Sequence, residues 1–155
     1  MEKKFSSEVP TKVEQSRKGF VLNYNVREAT EEEILEEWQS SGTGGEHGDV
    51  PTGDFVREHR YVYNSVNVPM GQWKYDGIIN AIVRDKYSID QMEAITNNMA
   101  AVNAVFMQTL VNGGIVDAIR YLKESADSDD TEAFKAMQEW RAMAKREAKS
   151  VFKME

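Results

Sequence analysis

The chain has 155 residues, 41% of them hydrophobic and 10% aromatic, so it is long and apolar enough for one folded domain and is not a wholly disordered protein. Its net charge of −7 argues against a general nucleic-acid-binding protein, because phosphate contacts need a basic surface. The absence of cysteine excludes disulfides and thiolate metal sites, and the opening MEKKFSSEVP lacks the apolar core of a signal peptide. We therefore expect a cytosolic or particle-bound protein.

The first 39 residues predict an arm followed by one strand and one short helix. Residues 1–19 are polar and charged, which is typical of a flexible arm. Phe20–Arg27 alternates apolar and polar side chains with a period of two, which predicts a half-buried strand. Thr30 and Glu33 form a capping-box pattern, so residues 20–39 should comprise this strand and a short capped helix.

A glycine-rich loop is predicted for residues 40–54, which hold five of the ten glycines and one of the three prolines. Its glycines could suggest a phosphate cradle and its ionisable side chains a metal site (Gly42, Gly44 and Gly45; Glu46, His47 and Asp49). The cradle lacks the flanking strand and helix that it needs, and the three ligand candidates lack a rigid scaffold. A plain loop is the favoured interpretation.

Residues 55–155 predict a second strand followed by a helical domain. Phe55–Pro69 is rich in Val and Tyr and includes His59, which we expect to face solvent. The chain should be helical from Trp73 onward, with the apolar residues of Tyr75–Tyr87 on one face. Further helices should start near Ile89, run from Ile115 to about Ser125, and run from about Asp130 to Phe152. Ser88 and Gln91 form the capping box of the second helix, and Asn112–Gly114 should end it. The predicted fold class is mostly α (α+β): a helical C-terminal bundle with a small two-stranded β element and a flexible N-terminal arm.

The second helix carries the most unusual feature of the sequence. Between Glu93 and Asp117 lie 23 residues without a charge, where the overall 29% of charged residues would give about six or seven (0.29 × 23). One face repeats apolar residues at steps of three and four and should be core (Met92, Ile95, Met99, Val102, Phe106 and Leu110). The opposite face holds small or amide residues and no charge (Asn97, Ala101, Ala104, Gln108 and Asn112). Since charge depletion marks interface centres, we predict that these five residues contact another protein chain. The alternative is that the strands or the arm of the same chain cover them.

The same stretch is the one membrane candidate in the sequence, and its amides and hydroxyls argue against a spanning helix. A second candidate surface is the basic C-terminal helix, where Lys135–Lys153 holds six basic and two acidic residues. This helix could touch nucleic acid, although a solvated helix end is the favoured interpretation. We expect no membrane contact and no general nucleic-acid partner.

No catalytic pattern is present. Two isolated histidines and no cysteine leave little from which to build an activated nucleophile, and the Walker, Rossmann, zinc and EF-hand patterns are missing. Carboxylate pairs remain open, because their pairing is spatial. We predict no catalytic, cofactor-binding or metal residues and a protein that is not an enzyme.

Two segments carry a resemblance to a known group, GQWKYDGIINAIVRDKYSIDQMEAITNN and EAFKAMQEWRAMAKREAK. Here the sequence resembles small uncharacterised proteins of phages and prophages of gut bacteria, whose genes often sit among those for virion or tail components. The likeness covers Tyr61–Asn98 and Glu132–Lys149, and Met99–Asp130 looks like an insertion relative to it. The resemblance implies a structural or assembly role in a phage particle and carries over no catalytic residues.

The predicted function is therefore a non-enzymatic structural or assembly subunit, in the virion or the host cytoplasm, that contacts copies of itself or other virion proteins. The alternative is a small intracellular adaptor or regulator that binds one partner transiently. A third interpretation is a nucleic-acid-associated protein that uses the basic C-terminal helix.

Overall fold

The computed structural model describes residues 2–41 and 50–153 and has the α+β composition that the sequence predicts. Within these described residues, four strands and five α-helices follow one another: β1 Lys3–Ser6, β2 Val13–Ser16, β3 Gly19–Glu28, α1 Glu31–Ser40, α2 Gly53–Glu58, β4 Tyr61–Pro69, α3 Tyr75–Lys86, α4 Ile89–Ser125 and α5 Asp129–Phe152. A short 3₁₀ turn, Met70–Gln72, joins β4 to α3. Most of the predicted Gly-rich loop lies outside the described residues, including all six phosphate and metal candidates.

The sheet has four antiparallel strands in the order β1-β4-β3-β2, so the predicted two-stranded element is wrong in strand number. The two extra strands lie within residues 1–19, which the sequence predicted to be a flexible arm. β1 pairs with β4 and β2 pairs with β3, so each forms an edge of the sheet. Edge strands with a water-facing side tolerate charged side chains, which is why these polar segments carried no apolar alternation.

The predicted strand over Phe55–Pro69 is correct only from Tyr61 onward. Its first part is helix α2, because the Thr52 hydroxyl accepts a hydrogen bond from the Phe55 N–H and caps the turn. His59 follows the end of α2 and stacks on the Phe55 ring, with 3.8 Å between the ring centroids. His59 is thus half-buried, which corrects the expectation of a solvent-facing strand residue.

The core lies between one face of the sheet and helices α3 and α5. Its buried members come from β3, β4, α3 and α5 (Leu22, Tyr24, Val68, Ile78, Ile82, Val83, Ala144 and Ala148). The alanines of α5 let that helix approach closely, and Trp140 beside them donates from Nε1 to the Ile82 carbonyl at 3.2 Å. The Tyr24 hydroxyl donates to Asp85 Oδ2 at 2.7 Å, which joins the central strand β3 to α3.

A bulge in β3 fastens the sheet to α5. The register with β4 shifts between Tyr24 and Arg27, and Asn25 there adopts φ +53°, a conformation that asparagine tolerates better than most residues. The Asn25 N–H donates to Glu147 Oε1 at 3.2 Å, and Lys12 Nζ lies 2.7 Å from the other oxygen of the same carboxylate. One carboxylate on α5 therefore contacts both β3 and the segment that leads into β2.

Candidate protein-interaction surface

Helix α4 begins as the sequence predicts and leaves the body of the protein within three turns. The Ser88 hydroxyl accepts from the Gln91 N–H while the Gln91 side chain accepts from the Ser88 N–H, which completes the capping box. Met92 packs against the core cluster. Farther along α4, Ala118 is its only fully buried residue.

The regular geometry of α4 breaks at Gly114, which has φ +79° and ψ −179°. The sequence predicted that Asn112–Gly114 would end the helix. Helical structure instead resumes directly after the break and continues to Ser125. The predicted shorter helix from Ile115 is therefore present, joined to its predecessor by a single non-helical residue.

Two hydrogen bonds show that the chain reverses direction at this break. Asn98 Nδ2 donates to Asp130 Oδ1 at 2.8 Å, and the Thr131 hydroxyl donates to the Ser125 carbonyl at 2.8 Å. Both Asn98 and Ser125 therefore lie beside the first turn of α5, within about 20 Å of each other given the reach of the side chains. A straight helix would separate them by about 40 Å at 1.5 Å per residue. We call residues 99–125 the α4 hairpin, with an outgoing arm 99–113 and a returning arm 115–125.

The predicted core face of α4 is only half-buried beyond Met92. Four members of this face lie on the outgoing arm and are partly covered (Met99, Val102, Phe106 and Leu110). On the returning arm, Ala118 is 1% exposed. This pattern indicates that the two arms pack against each other rather than on the core of the body. The expectation that this face is ordinary core was wrong because the hairpin projects from the body and has only its own second arm to cover it.

The outer surface of the α4 hairpin is rich in exposed apolar side chains. Val111, Ile115 and Val116 flank the reversal and are 79%, 67% and 67% exposed. Half of the large hydrophobic side chains that are exposed in the described residues belong to this hairpin (Val105, Met107, Val111, Ile115, Val116, Ile119 and Leu122). Scattered apolar residues are normal on a protein surface, but a concentration of this kind indicates a binding surface.

All five predicted interface residues are exposed (Asn97, Ala101, Ala104, Gln108 and Asn112). The alternative explanation, that the strands or the N-terminal segment of the same chain cover them, is wrong for the described residues. The contact with a second protein stays a prediction. Sequence reasoning missed the more exposed apolar residues at and beyond the reversal, although VNGGIV, a glycine pair between apolar residues without charge, was a signal that could have located them.

By length and composition alone, α4 is the one helix of the described residues that could cross a membrane. The break at Gly114 divides it, and the outgoing arm carries Asn103, Gln108, Thr109 and Asn112. Amide groups and irregular backbone are costly in hydrocarbon, where no water can satisfy them. These features argue against a spanning helix.

The other described surfaces give weaker indications of a binding site. Within residues 2–41 and 50–153, no group of three His, Asp or Glu side chains is placed to hold a metal ion. A groove of about 520 Å³ lies between α1 and α2, and its lining is mainly apolar (Glu31, Ile34, Leu35, Gln39, Val50, Pro51 and Val56). The six basic side chains of Lys135–Lys153 are all exposed on or just beyond α5.

The pKa values of Glu33 and Tyr24 are shifted, and both groups serve the fold. Hydrogen bonds from Arg27, at 2.7 Å to each carboxylate oxygen, and from Lys3 at 2.8 Å hold the pKa of Glu33 well below its usual range. This carboxylate links β1, β3 and α1. Burial, followed by the hydrogen bond to Asp85, raises the pKa of the Tyr24 hydroxyl far above its ordinary value, so that this group stays protonated.

No protein family, curated protein or solved structure matches this chain.

Proposed function

We propose that the protein is a non-enzymatic structural or assembly subunit of a phage particle and that it acts through protein–protein contacts made by the α4 hairpin. The observation that supports this proposal is the projecting hairpin itself, whose outgoing arm has no charge and whose outer surface is apolar. The hairpin is held to the body near Asn98 and Ser125, at the start of α5. It is thus presented to other molecules and not used to build the core of its own chain.

Covering the apolar side chains of the α4 hairpin would release a substantial free energy. The exposed fractions of its seven large apolar side chains add up to about four complete side chains. At about 1.5–3 kcal/mol for each Val, Leu, Ile or Met side chain removed from water, covering them would release about 6–12 kcal/mol. Association costs about 4–15 kcal/mol in lost translational and rotational freedom, so this surface supplies a gain of the same size as the cost that a partner must offset.

The assignment to a phage particle rests on the resemblance of two segments. Tyr61–Asn98 corresponds to β4, α3 and the start of α4, and Glu132–Lys149 lies within α5, so both belong to the body of the protein. The segment that interrupts the resemblance, Met99–Asp130, coincides with the α4 hairpin and the turn into α5. We therefore propose that the chain shares its body with the phage proteins that it resembles and carries the α4 hairpin as an additional element for protein contacts.

Particle association is the direct test. Particles released by a strain that carries the gene are purified on a density gradient and probed for the chain, first as wild type and then as Ala104→Lys. The matched control is Ala142→Lys, which places the same charge at an exposed alanine of α5. We expect the wild type and the control to migrate with particles and Ala104→Lys to stay soluble while keeping its circular dichroism spectrum.

Recovery of the wild-type chain in the soluble fraction with one host protein would contradict the proposal and favour the adaptor alternative. Retention on DNA at low salt, lost as salt rises, would instead favour the nucleic-acid interpretation of the basic helix.

A further inference from the structure

We infer that the α4 hairpin is half of a four-helix bundle, which the hairpin of a second copy of this chain completes. This inference rests on the proposed function in one respect, that the hairpin makes protein contacts, and it goes further by naming the partner. The hairpin surface of one copy therefore contacts the same surface of the second copy.

The burial pattern within the hairpin leaves an apolar face that further helices can cover. Two helices can cover only one side of each other, and here the apolar face of the outgoing arm stays half-exposed. Four helices can enclose a shared core, and two helical hairpins that associate are a standard way to build one. The apolar side chains that remain outside the arm-to-arm contact, such as Val111, Ile115 and Leu122, would then acquire a core to enter.

The charge distribution also favours the hairpin as the contact between two copies. The chain carries a net charge of −7, so two copies repel each other overall. The hairpin contains two acidic and two basic residues, all on the returning arm, and is therefore neutral (Asp117, Arg120, Lys123 and Glu124). Asp117 and Arg120 also pair with each other at 3.3 Å. Two copies can thus meet through their outgoing arms without bringing charged side chains together.

The polar side chains of the outgoing arm can form hydrogen bonds with the same side chains of a second copy. A carboxylate only accepts and an ammonium only donates, so neither forms a favourable pair with its own duplicate. Asn103, Gln108 and Asn112 carry amides, which donate and accept at once and can pair like with like. Ala100, Ala101 and Ala104 leave room for a second helix to approach closely.

The area of the surface agrees with a stable pair. Four side-chain equivalents at about 60–120 Å² each give about 240–480 Å² of apolar area per copy. One side of a standard interface buries about 800 Å², of which about 450 Å² is apolar. The hairpin therefore supplies most or all of the apolar area that one partner contributes to a standard interface.

The test is the molar mass of the full chain, measured by light scattering and by sedimentation over a concentration series. The variants are Val111→Lys and Ile115→Lys on the hairpin. The matched control is Val9→Lys, because Val9 is 65% exposed outside the helices and the same side chain is replaced by the same charge. We expect a dimer for wild type and Val9→Lys, and self-association weakened by roughly 100-fold or more in both hairpin variants. Circular dichroism checks that each variant remains folded, which the high exposure of all three sites favours.

Three results would overturn the inference. The wild type would be a monomer at every concentration, or the hairpin variants would dimerise as strongly as the control, or the wild type would float with anionic phospholipid vesicles while Val111→Lys did not. The last result would make a lipid surface the occupant.

The two proposals fail separately. A monomeric chain that still migrates with particles, and loses them on Ala104→Lys, leaves the proposed function standing without the self-pairing. A dimer that never enters particles leaves the four-helix bundle standing without the proposed function.

Discussion

Replacing Gly114 with alanine is expected to loosen the α4 hairpin without disturbing the body. At φ +79° and ψ −179°, Gly114 occupies a region of backbone space that is essentially restricted to glycine. A Cβ added there meets no atom within 4 Å, so the cost comes from the backbone conformation alone. Holding alanine in such a conformation costs about 1–3 kcal/mol. That cost is a large share of what two short helices can gain by pairing.

We expect Gly114→Ala to lower the stability of the hairpin and not that of the body. The described hydrogen bonds from the hairpin region to α5 lie only at the base of the hairpin, near Asn98 and Ser125. Native-state hydrogen exchange at the amides of Ala118 and Tyr121 measures the free energy of opening of the returning arm. We expect that free energy to fall by about 1–3 kcal/mol in Gly114→Ala, while the protection of β3 stays unchanged.

Gly71→Ala provides the matched control. A Cβ at Gly71 also meets nothing within 4 Å, and Gly71 is not among the residues with positive φ. Removing backbone freedom from the unfolded chain there should leave stability unchanged or raise it by about 0.4–1 kcal/mol. If the two variants gave equal protection of the returning arm, the reversal at Gly114 would not depend on a glycine conformation, and the description of the hairpin would be wrong.

Three further predictions concern the body. Glu33→Gln should lower the free energy of unfolding by about 1–2 kcal/mol at pH 7, because it removes the ion pairs that join β1, β3 and α1. Since the pKa of Glu33 is depressed in the folded state, its contribution is present above the unfolded-state pKa of about 4.3 and is lost as the pH falls. Urea titrations should therefore show wild type and variant converging below that pH, and a constant gap down to pH 3 would contradict this assignment. Tyr24→Phe should cost about 1–2 kcal/mol in the same assay through the lost hydrogen bond to Asp85, and a loss below 0.5 kcal/mol would show that bond to be dispensable. Gly77→Ala should destabilise the body by about 2–4 kcal/mol, because its Cβ would lie 1.9 Å from the Gln72 carbonyl oxygen; unchanged thermal unfolding would refute that close approach.

The features that the sequence predicted correctly depend on neighbours a few residues apart. The capping boxes at Thr30 and Ser88 need only the residue three positions later, and both form in the structure. The start of α5 and the buried face of α3 likewise follow from local spacing and from charge near the helix ends. Each of these is settled by contacts within a turn or two of helix.

The features that the sequence missed depend on distant partners or on competing local signals. β1 is four residues long and becomes a strand only because β4 lies beside it, with Lys3 opposite Asn64. Phe55 and Val56 are good strand formers, yet the Thr52 cap places them in α2. At Gly114 the composition indicated a helix end, but only the partners of Asn98 and Ser125 reveal that the chain turns back on itself.

The same distinction explains why the candidate surface was found only in part. Asn97, Ala101, Ala104, Gln108 and Asn112 were identified from the absence of charge, a property that can be read along one helix. Val111 and Val116 at the tip join Ile119 on the returning arm in one compact surface only because the chain reverses at Gly114. In a straight helix the exposed apolar side chains from Val105 to Leu122 would spread over about 26 Å, whereas the reversal at Gly114 folds them into a length of about 14 Å. The glycine that breaks the helix therefore concentrates the surface, because it folds the exposed apolar side chains of one long helix into a compact element that a partner of ordinary size can cover.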